Sequence, residues 1–208
     1  QKGYNYLGLT VPCGRLSPNR LKEIAKIAEH YGDAHIRTTN TQDMIILNIP
    51  DSKLPLLQQE PLYKEQQNIQ QRFHARTVVC TGNRFCPFAV VETKDRMFAI
   101  ADHLDTTIAE KENIRIHVSG CIHSCAQPQI ADIGLQGTMT SVDGKPAQAF
   151  EICVGGKLGK GATFARKLEG KVLQEEVHER VAKIIIDYQK EKTANETFSE
   201  YIERSLAK

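Results

Sequence analysis

No apolar run in this sequence approaches the roughly 20 residues that a membrane-crossing helix needs. The longest, Met44 to Ile49 and Val181 to Ile186, are interrupted by polar or charged residues. The first residues, Gln1-Lys2-Gly3-Tyr4-Asn5-Tyr6, lack the apolar core and small-residue cleavage site of a secretory signal. No membrane contact is expected, and a cytoplasmic location is the default. A dominant charge is missing too: Lys plus Arg exceed Asp plus Glu by only 27 − 25 = 2, so nothing argues for nucleic acid as a partner. Internal repeats and low-complexity stretches are also absent.

What is present is ordinary globular composition, 40% hydrophobic and 25% charged, which argues against disorder. A chain of 208 residues makes one large domain or two small ones, with core enough to dispense with disulfide staples. Its six cysteines are therefore metal ligands or small buried hydrophobes before they are disulfides.

Tyr4 to Val11 alternates as a strand and runs into a turn at Pro12-Cys13-Gly14. Ser17-Pro18 then opens a helix with apolar Leu21, Ile24, Ala25 and Ala28 at helical spacing, and Gly32 stops it. Ala34 to Arg37 and Met44 to Ile49 read as strands joined by the polar stretch 38–43, which makes a β-α-β-β unit. Residues 51–63 read as a short helix or an irregular linker, and Lys64 to Gln71 as a polar connection, with a boundary near residue 70. Thr77 to Val79 delivers the chain to Cys80 as a short strand. A helix is expected from Phe88 to about Lys111, a strand over Ile114 to Val118, and further strands over Ile130 to Met139 and Ala149 to Val154 around a turn at Asp143-Gly144. Leu173, Val177, Val181, Ile184, Ile185 and Tyr188 mark a late helix, and Phe198 to Leu206 a shorter one.

Cys80 and Cys86 enclose five residues, Cys121 and Cys125 enclose three, and thirty-four separate the pairs. Each pair falls at a strand end, with Gly82, Pro87, Gly120 and Pro128 beside it. A 4Fe-4S cubane needs four thiolates converging on one centre, and such loops let backbone close around the sulfurs. Structural zinc is the competing reading, but its knuckles use gaps of two to four residues, narrower than the five between Cys80 and Cys86. Unrelated packing cysteines are the bland alternative. That reading suits Cys13 and Cys153, which stand where apolar residues would serve. Gly155 to Gly161 lacks the Gly-Lys-Ser/Thr of a phosphate loop and reads as a backbone turn near the cofactor.

The runs Val79-Cys80-Thr-Gly-Asn-Arg-Phe-Cys86-Pro, Glu92-Thr93-Lys94, His117-Val-Ser-Gly-Cys121-Ile-His-Ser-Cys125-Ala-Gln and Ala131-Asp-Ile-Gly-Leu-Gln-Gly137 resemble the signature of sirohaem nitrite and sulfite reductases. Upstream, Gly8-Leu-Thr-Val-Pro-Cys-Gly-Arg15, Tyr31-Gly32 and Arg37-Thr-Thr-Asn-Thr-Gln42 resemble the ferredoxin-like half domain that precedes the cluster domain in that family. The resemblance covers residues 3 to about 160. It implies that all four cysteines hold the cluster and that Cys125 also serves as axial ligand of the sirohaem iron.

Reducing nitrite to ammonia, or sulfite to sulfide, takes six electrons arriving singly while partial products stay bound, which is why the family couples a one-electron store to an iron with an open position. Sirohaem is a polycarboxylate, so cationic and N–H donors should surround it. By resemblance the candidates are Arg37, Thr39, Gln42, Arg76, Asn83 and Arg84. The bland readings stay open: solvated surface arginines for Arg76 and Arg84, turn residues for Thr39 and Gln42. His117 reads as a satisfied core or edge histidine rather than a proton donor.

Two departures stand out. The family usually has Pro-Asn where this chain has Ile122-His123, which alters hydrogen bonding at the cluster. The chain also matches only the second of the family's two related halves, and the cationic substrate pocket comes largely from the first, so no catalytic acid or anion-binding residue is named. The expectation is the C-terminal portion of a longer reductase, ahead of a small reductase that dimerises. Such an isolated half should show weak or no turnover and need not retain its cofactors.

The resulting expectation is an α+β protein: a ferredoxin-like half domain over 1–70 and an α/β domain for 4Fe-4S and sirohaem over 71–208. Its expected activity is nitrite reduction fed by a ferredoxin-like donor, with sulfite as the nearer alternative. The expected protein partner is the N-terminal half or a second copy. A 4Fe-4S electron carrier without sirohaem and a zinc-stapled interaction domain are the rivals from other classes.

Overall fold

The computed structural model describes residues 1–110 and 112–206, which separate into two units, Gln1–Ala75 and Arg76–Lys208. The expected helix end at Lys111 lies outside the described residues.

In the first unit, strand β1 (Tyr4–Leu9) leads through a 3-10 turn to helix α1 (Pro18–Tyr31). Ser17 starts α1 because its hydroxyl accepts the Arg20 amide at 3.2 Å, and proline at the first position gives up no helical hydrogen bond. Strands β2 (Ile36–Thr38) and β3 (Met44–Pro50) follow, and the antiparallel sheet runs β1-β3-β2. The core joins Leu7 and Leu9 of β1, Ile24, Ile27 and Ala28 of α1, and Ile46 and Ile49 of β3. A short helix α2 (Leu54–Leu57) precedes α3 (Pro61–Gln70). The connection expected over 64–71 is thus mostly helix. Its residues are polar, but Leu62 and Gln66 turn inward, and the Gln66 side chain accepts the Thr10 amide at 2.8 Å and donates to the Thr10 carbonyl at 3.3 Å.

The second unit is a mixed six-stranded sheet. Strands β4 (Thr77–Val79), β5 (Ile116–Ser119) and β6 (Ile133–Val142) pair in parallel; β7 (Lys145–Val154) returns antiparallel to β6 and carries short β8 (Arg166–Lys167) and β9 (Val172–Leu173). Asp143 and Gly144 both have positive φ, 52° and 77°, and close β6–β7 as the two-residue hairpin those residues favour. Helix α4 (Lys94–Thr107) lies between β4 and β5, as a parallel crossover requires. It starts six residues later than Phe88. Glu92 causes the late start: its carboxylate accepts the Lys94 and Arg96 amides, each at 3.0 Å, and caps the helix. Helix α5 (Val177–Glu191) packs on α4 and buries Val181, Ile184 and Ile185, whereas Leu173 lies on β9 opposite Ala149. Helix α6 (Phe198–Ser205) opens with a capping box between Thr197 and Glu200.

Among the described residues no helix is long and apolar enough to cross a membrane. No disulfide joins any of the six cysteines.

Candidate cluster site

Parallel β4 and β5 lie side by side with Val79 opposite Val118, so the loops leaving their carboxyl ends emerge together. Open sheets bind ligands at such ends. Cys80 is the first residue beyond β4, its amide held by the Val118 carbonyl at 3.0 Å. Cys121 follows β5 by one glycine, and the amide of that glycine, Gly120, donates to the Cys80 sulfur at 3.1 Å.

The first loop is folded tightly enough to bring Cys86 back. Gly82 has φ 70°, and its carbonyl accepts the amides of Phe85 and Cys86 at 3.3 and 3.0 Å. A Cβ at Gly82 would stand 2.6 Å from the Thr93 hydroxyl. That hydroxyl donates to the Cys80 carbonyl at 2.7 Å, and the Val90 amide reaches the Gly120 carbonyl at 2.8 Å. Residues 88–92, expected as helix, instead form a turn and a bend tied to Gly120 through the Val90 amide.

The second loop turns on Ser124. Its φ of 55° is left-handed, and its hydroxyl donates to the Ile122 carbonyl at 3.1 Å while accepting the Gln129 and Gln136 side-chain amides at 2.7 and 2.9 Å. The Ser119 hydroxyl accepts the Ala126 amide at 3.0 Å. Buried His117 lies with Nδ1 3.2 Å from the Gln127 carbonyl; a carbonyl only accepts, so Nδ1 carries the proton. Burial pushes the His117 pKa down, which keeps the ring neutral. It is a satisfied interior histidine, as expected, and it anchors the loop exit. None of Ser119, Ser124, Gln129 and Gln136 was singled out from the sequence; scattered small and amide residues carry no signal until the fold brings them together around one loop.

Cys80, Cys86 and Cys121 are half-buried and Cys125 is exposed. Among the described residues no three His, Cys, Asp or Glu side chains are gathered as one metal ion would require. A tetrahedral zinc with bonds near 2.3 Å holds its sulfurs within about 4 Å of one another, whereas a cubane spreads its ligands over four iron corners. Four thiols at two adjacent strand ends, with a backbone N–H on one sulfur, are a donor set suited to such a cluster.

The sirohaem candidates divide between the units. In the second, Asn83 and Arg84 are exposed on the first cysteine loop, and Arg84 meets the exposed Asp95 carboxylate at 3.4 Å; Arg76 opens the unit and is half-buried. In the first, Arg37 is exposed on β2, and Thr39 and Gln42 close the turn to β3, where the Gln42 amide reaches the Thr39 carbonyl at 3.2 Å with Gln42 at φ 68°. Cys13 is buried in the first unit. Cys153 donates to the Pro128 and Gly134 carbonyls at 3.3 and 3.5 Å, and its thiol pKa is pushed up by burial. The glycine-rich segment after β7 is a turn closed by a Lys157–Thr163 bridge.

Fold and site define a two-unit α+β protein whose parallel strand ends present two cysteine pairs. Residues 72–205 match the nitrite and sulphite reductase 4Fe-4S domain, and residues 1–62 the nitrite/sulfite reductase ferredoxin-like half domain. The chain belongs to the nitrite and sulfite reductase family. It is 39% identical over 187 residues to a ferredoxin–nitrite reductase of Synechococcus elongatus, covering 90% of this chain and 36% of that protein. It is 34% identical over 204 residues to an assimilatory ferredoxin-dependent nitrite reductase of Haloferax mediterranei, covering 97% and 35%. The structure of the Mycobacterium tuberculosis NirA protein superposes with a TM-score of 0.83 at 28% identity, over 98% of this chain and 39% of that one. This chain therefore spans about a third of the length of the relatives it matches.

Proposed function

We propose that this chain is the cofactor-holding portion of a six-electron reductase that converts nitrite to ammonia, with a 4Fe-4S cluster on Cys80, Cys86, Cys121 and Cys125 and electrons from a ferredoxin-like donor. The observation that carries this reading is the pairing of both cysteine loops at the ends of β4 and β5, closed by the Gly120 amide on the Cys80 sulfur at 3.1 Å. Relatives named as ferredoxin–nitrite reductases at 34 to 39% identity support nitrite over sulfite.

When bound, the cluster and a sirohaem would supply one-electron storage and an iron with an open coordination position. The protein's own part is positional. β4 and β5 set two loop origins a strand spacing apart, Ser124 and His117 brace the second loop, and Gly120 offers an N–H to sulfur charge. Cys125, the exposed thiol, is the proposed ligand shared with sirohaem. Arg76, Asn83 and Arg84 in this unit are proposed donors to its carboxylates. Arg84 is available for this: its exposed contact with Asp95 is of a kind worth at most about 1 kcal/mol, which a buried carboxylate would outbid. Arg37, Thr39 and Gln42 are proposed as further contacts on the resemblance stated above. The partner supplying the substrate-anion pocket is proposed to be an N-terminal half or a second copy, and the setting cytoplasmic.

Anaerobic purification with absorption and EPR spectroscopy tests the reading. Coupled haem and cluster signals are the expected result; a cluster signal alone would mark an electron carrier, and a colourless zinc-bearing protein would sink the proposal. Cys125→Ser should abolish the link to haem, and an unchanged haem spectrum would overturn that assignment. Nitrite and sulfite turnover by the full-length enzyme then decides the substrate.

A further inference from the structure

The sulfurs of the two cysteine loops are not alike. Cys80 receives its N–H from the Gly120 backbone. Cys121 instead has a side chain beside it: His123 Nδ1 lies 3.4 Å from the Cys121 sulfur, within hydrogen-bond reach for a sulfur acceptor. The imidazole is exposed to solvent but does not stand alone. The Phe88 ring, two residues beyond Cys86, packs against it with centroids 5.4 Å apart and planes tilted by 52°. This side-chain contact therefore bridges the two ligand loops, with Nδ1 of the imidazole beside a ligand sulfur.

We propose that His123 sets the reduction potential of the cluster by donating its Nδ1–H to the Cys121 thiolate, with Phe88 holding the ring in that pose. The inference rests on the cluster reading above. A metal-bound thiolate can only accept, so in this contact Nδ1 carries the proton. Reduction adds one negative charge to the cluster and spreads part of it onto the sulfurs. An N–H aimed at sulfur stabilises the reduced form more than the oxidised one, so the potential rises; hydrogen bonds to sulfur are among the levers that set it. Ile122, exposed at 77% beside this histidine, has no polar group to offer in its place.

Three substitutions in the cluster-loaded protein separate hydrogen bonding from packing. His123→Phe keeps a ring against Phe88 and removes the donor. His123→Asn loses the ring but returns an N–H close to the position of Nδ1. Phe88→Ala keeps the donor and removes its support. EPR-monitored redox titration at one fixed pH reads the outcome, with iron content confirming equal loading. The expected result is a more negative potential in His123→Phe, a near-parental potential in His123→Asn, and a smaller negative shift with a broadened signal in Phe88→Ala. Loaded proteins sharing one potential would overturn the inference while leaving the cluster assignment intact. If His123→Asn and His123→Phe moved together, packing and not donation would be responsible, and the inference would fall. Failure of the parent protein to take up a cluster would instead remove both.

Discussion

The Gly120 amide donates to the Cys80 sulfur at 3.1 Å while the Gly120 carbonyl accepts the Val90 amide at 2.8 Å. One residue of β5's exit thus fastens both ends of the first cysteine loop. That demands backbone at close range: a Cβ on Gly120 would stand 2.8 Å from the Ala89 Cβ and 3.3 Å from the Thr93 methyl.

Gly120→Ala is therefore expected to push the 80–93 loop away from β5. Overpacking of this kind costs about 1–3 kcal/mol, and the lost N–H on sulfur should reduce cluster retention as well. Denaturant unfolding of the apo chain and iron content after anaerobic reconstitution measure the two effects; full iron loading at parental stability would contradict this account of the loop.

Ser124 combines a left-handed backbone with a hydroxyl serving three partners. Ser124→Ala keeps the unfavourable φ and removes the acceptor of the half-buried Gln129 and Gln136 amides, at about 0.5–1.5 kcal/mol per hydrogen bond. Ser124→Gly removes the same acceptor but relieves the backbone, which recovers roughly 1 kcal/mol. The expected stability order is parent, then Gly, then Ala, read from urea midpoints. Ala equal to the parent would show that the hydroxyl braces nothing.

Acid should loosen the C-terminal helix in a defined range. Arg204 donates to both Glu196 carboxylate oxygens, at 2.7 and 2.9 Å, and with the Thr193 amide holds the Glu196 pKa down to about 2 from the usual 4.5. A depressed carboxylate contributes stability above its unfolded pKa, and that contribution is lost as pH falls through the folded value. The loss should run from about pH 4.5 toward 2. In Arg204→Gln that acid-range slope should be smaller, and identical pH–stability curves for the two proteins would count against the pair as the cause.

Thiol reactivity should follow burial in the apo chain. Cys125 is exposed, Cys13 is fully buried, and burial pushes the Cys153 thiol away from the reactive thiolate. Iodoacetamide followed by mass spectrometry should modify Cys125 early and Cys13 and Cys153 last, and early labelling of Cys153 would contradict the packing described here.

Much of this was local enough to read from the chain. Ser17-Pro18 and Gly32 bound α1 because capping acts between neighbours, and Asp143-Gly144 marks its hairpin because two positive φ values in succession suit those residues. The four cysteines stood out because ligand spacing is itself a sequence property. The helix expected from Phe88 begins only at Lys94, for the opposite reason. Its residues have helical composition, yet Val90 is bound to Gly120 and Glu92 caps the helix after it, and the first of these contacts joins segments thirty residues apart.

Residue types and their intervals in the sequence thus determined that two cysteine pairs sit in glycine-bearing loops after strands. Only the tertiary structure decided that β4 and β5 are parallel neighbours, that the Gly120 amide and the His123 ring stand beside different sulfurs, and that Ser124 gathers Gln129 and Gln136. Spacing along a chain is conserved on folding, whereas hydrogen-bond partners are chosen by the pairing of strands distant in sequence, which no local pattern encodes.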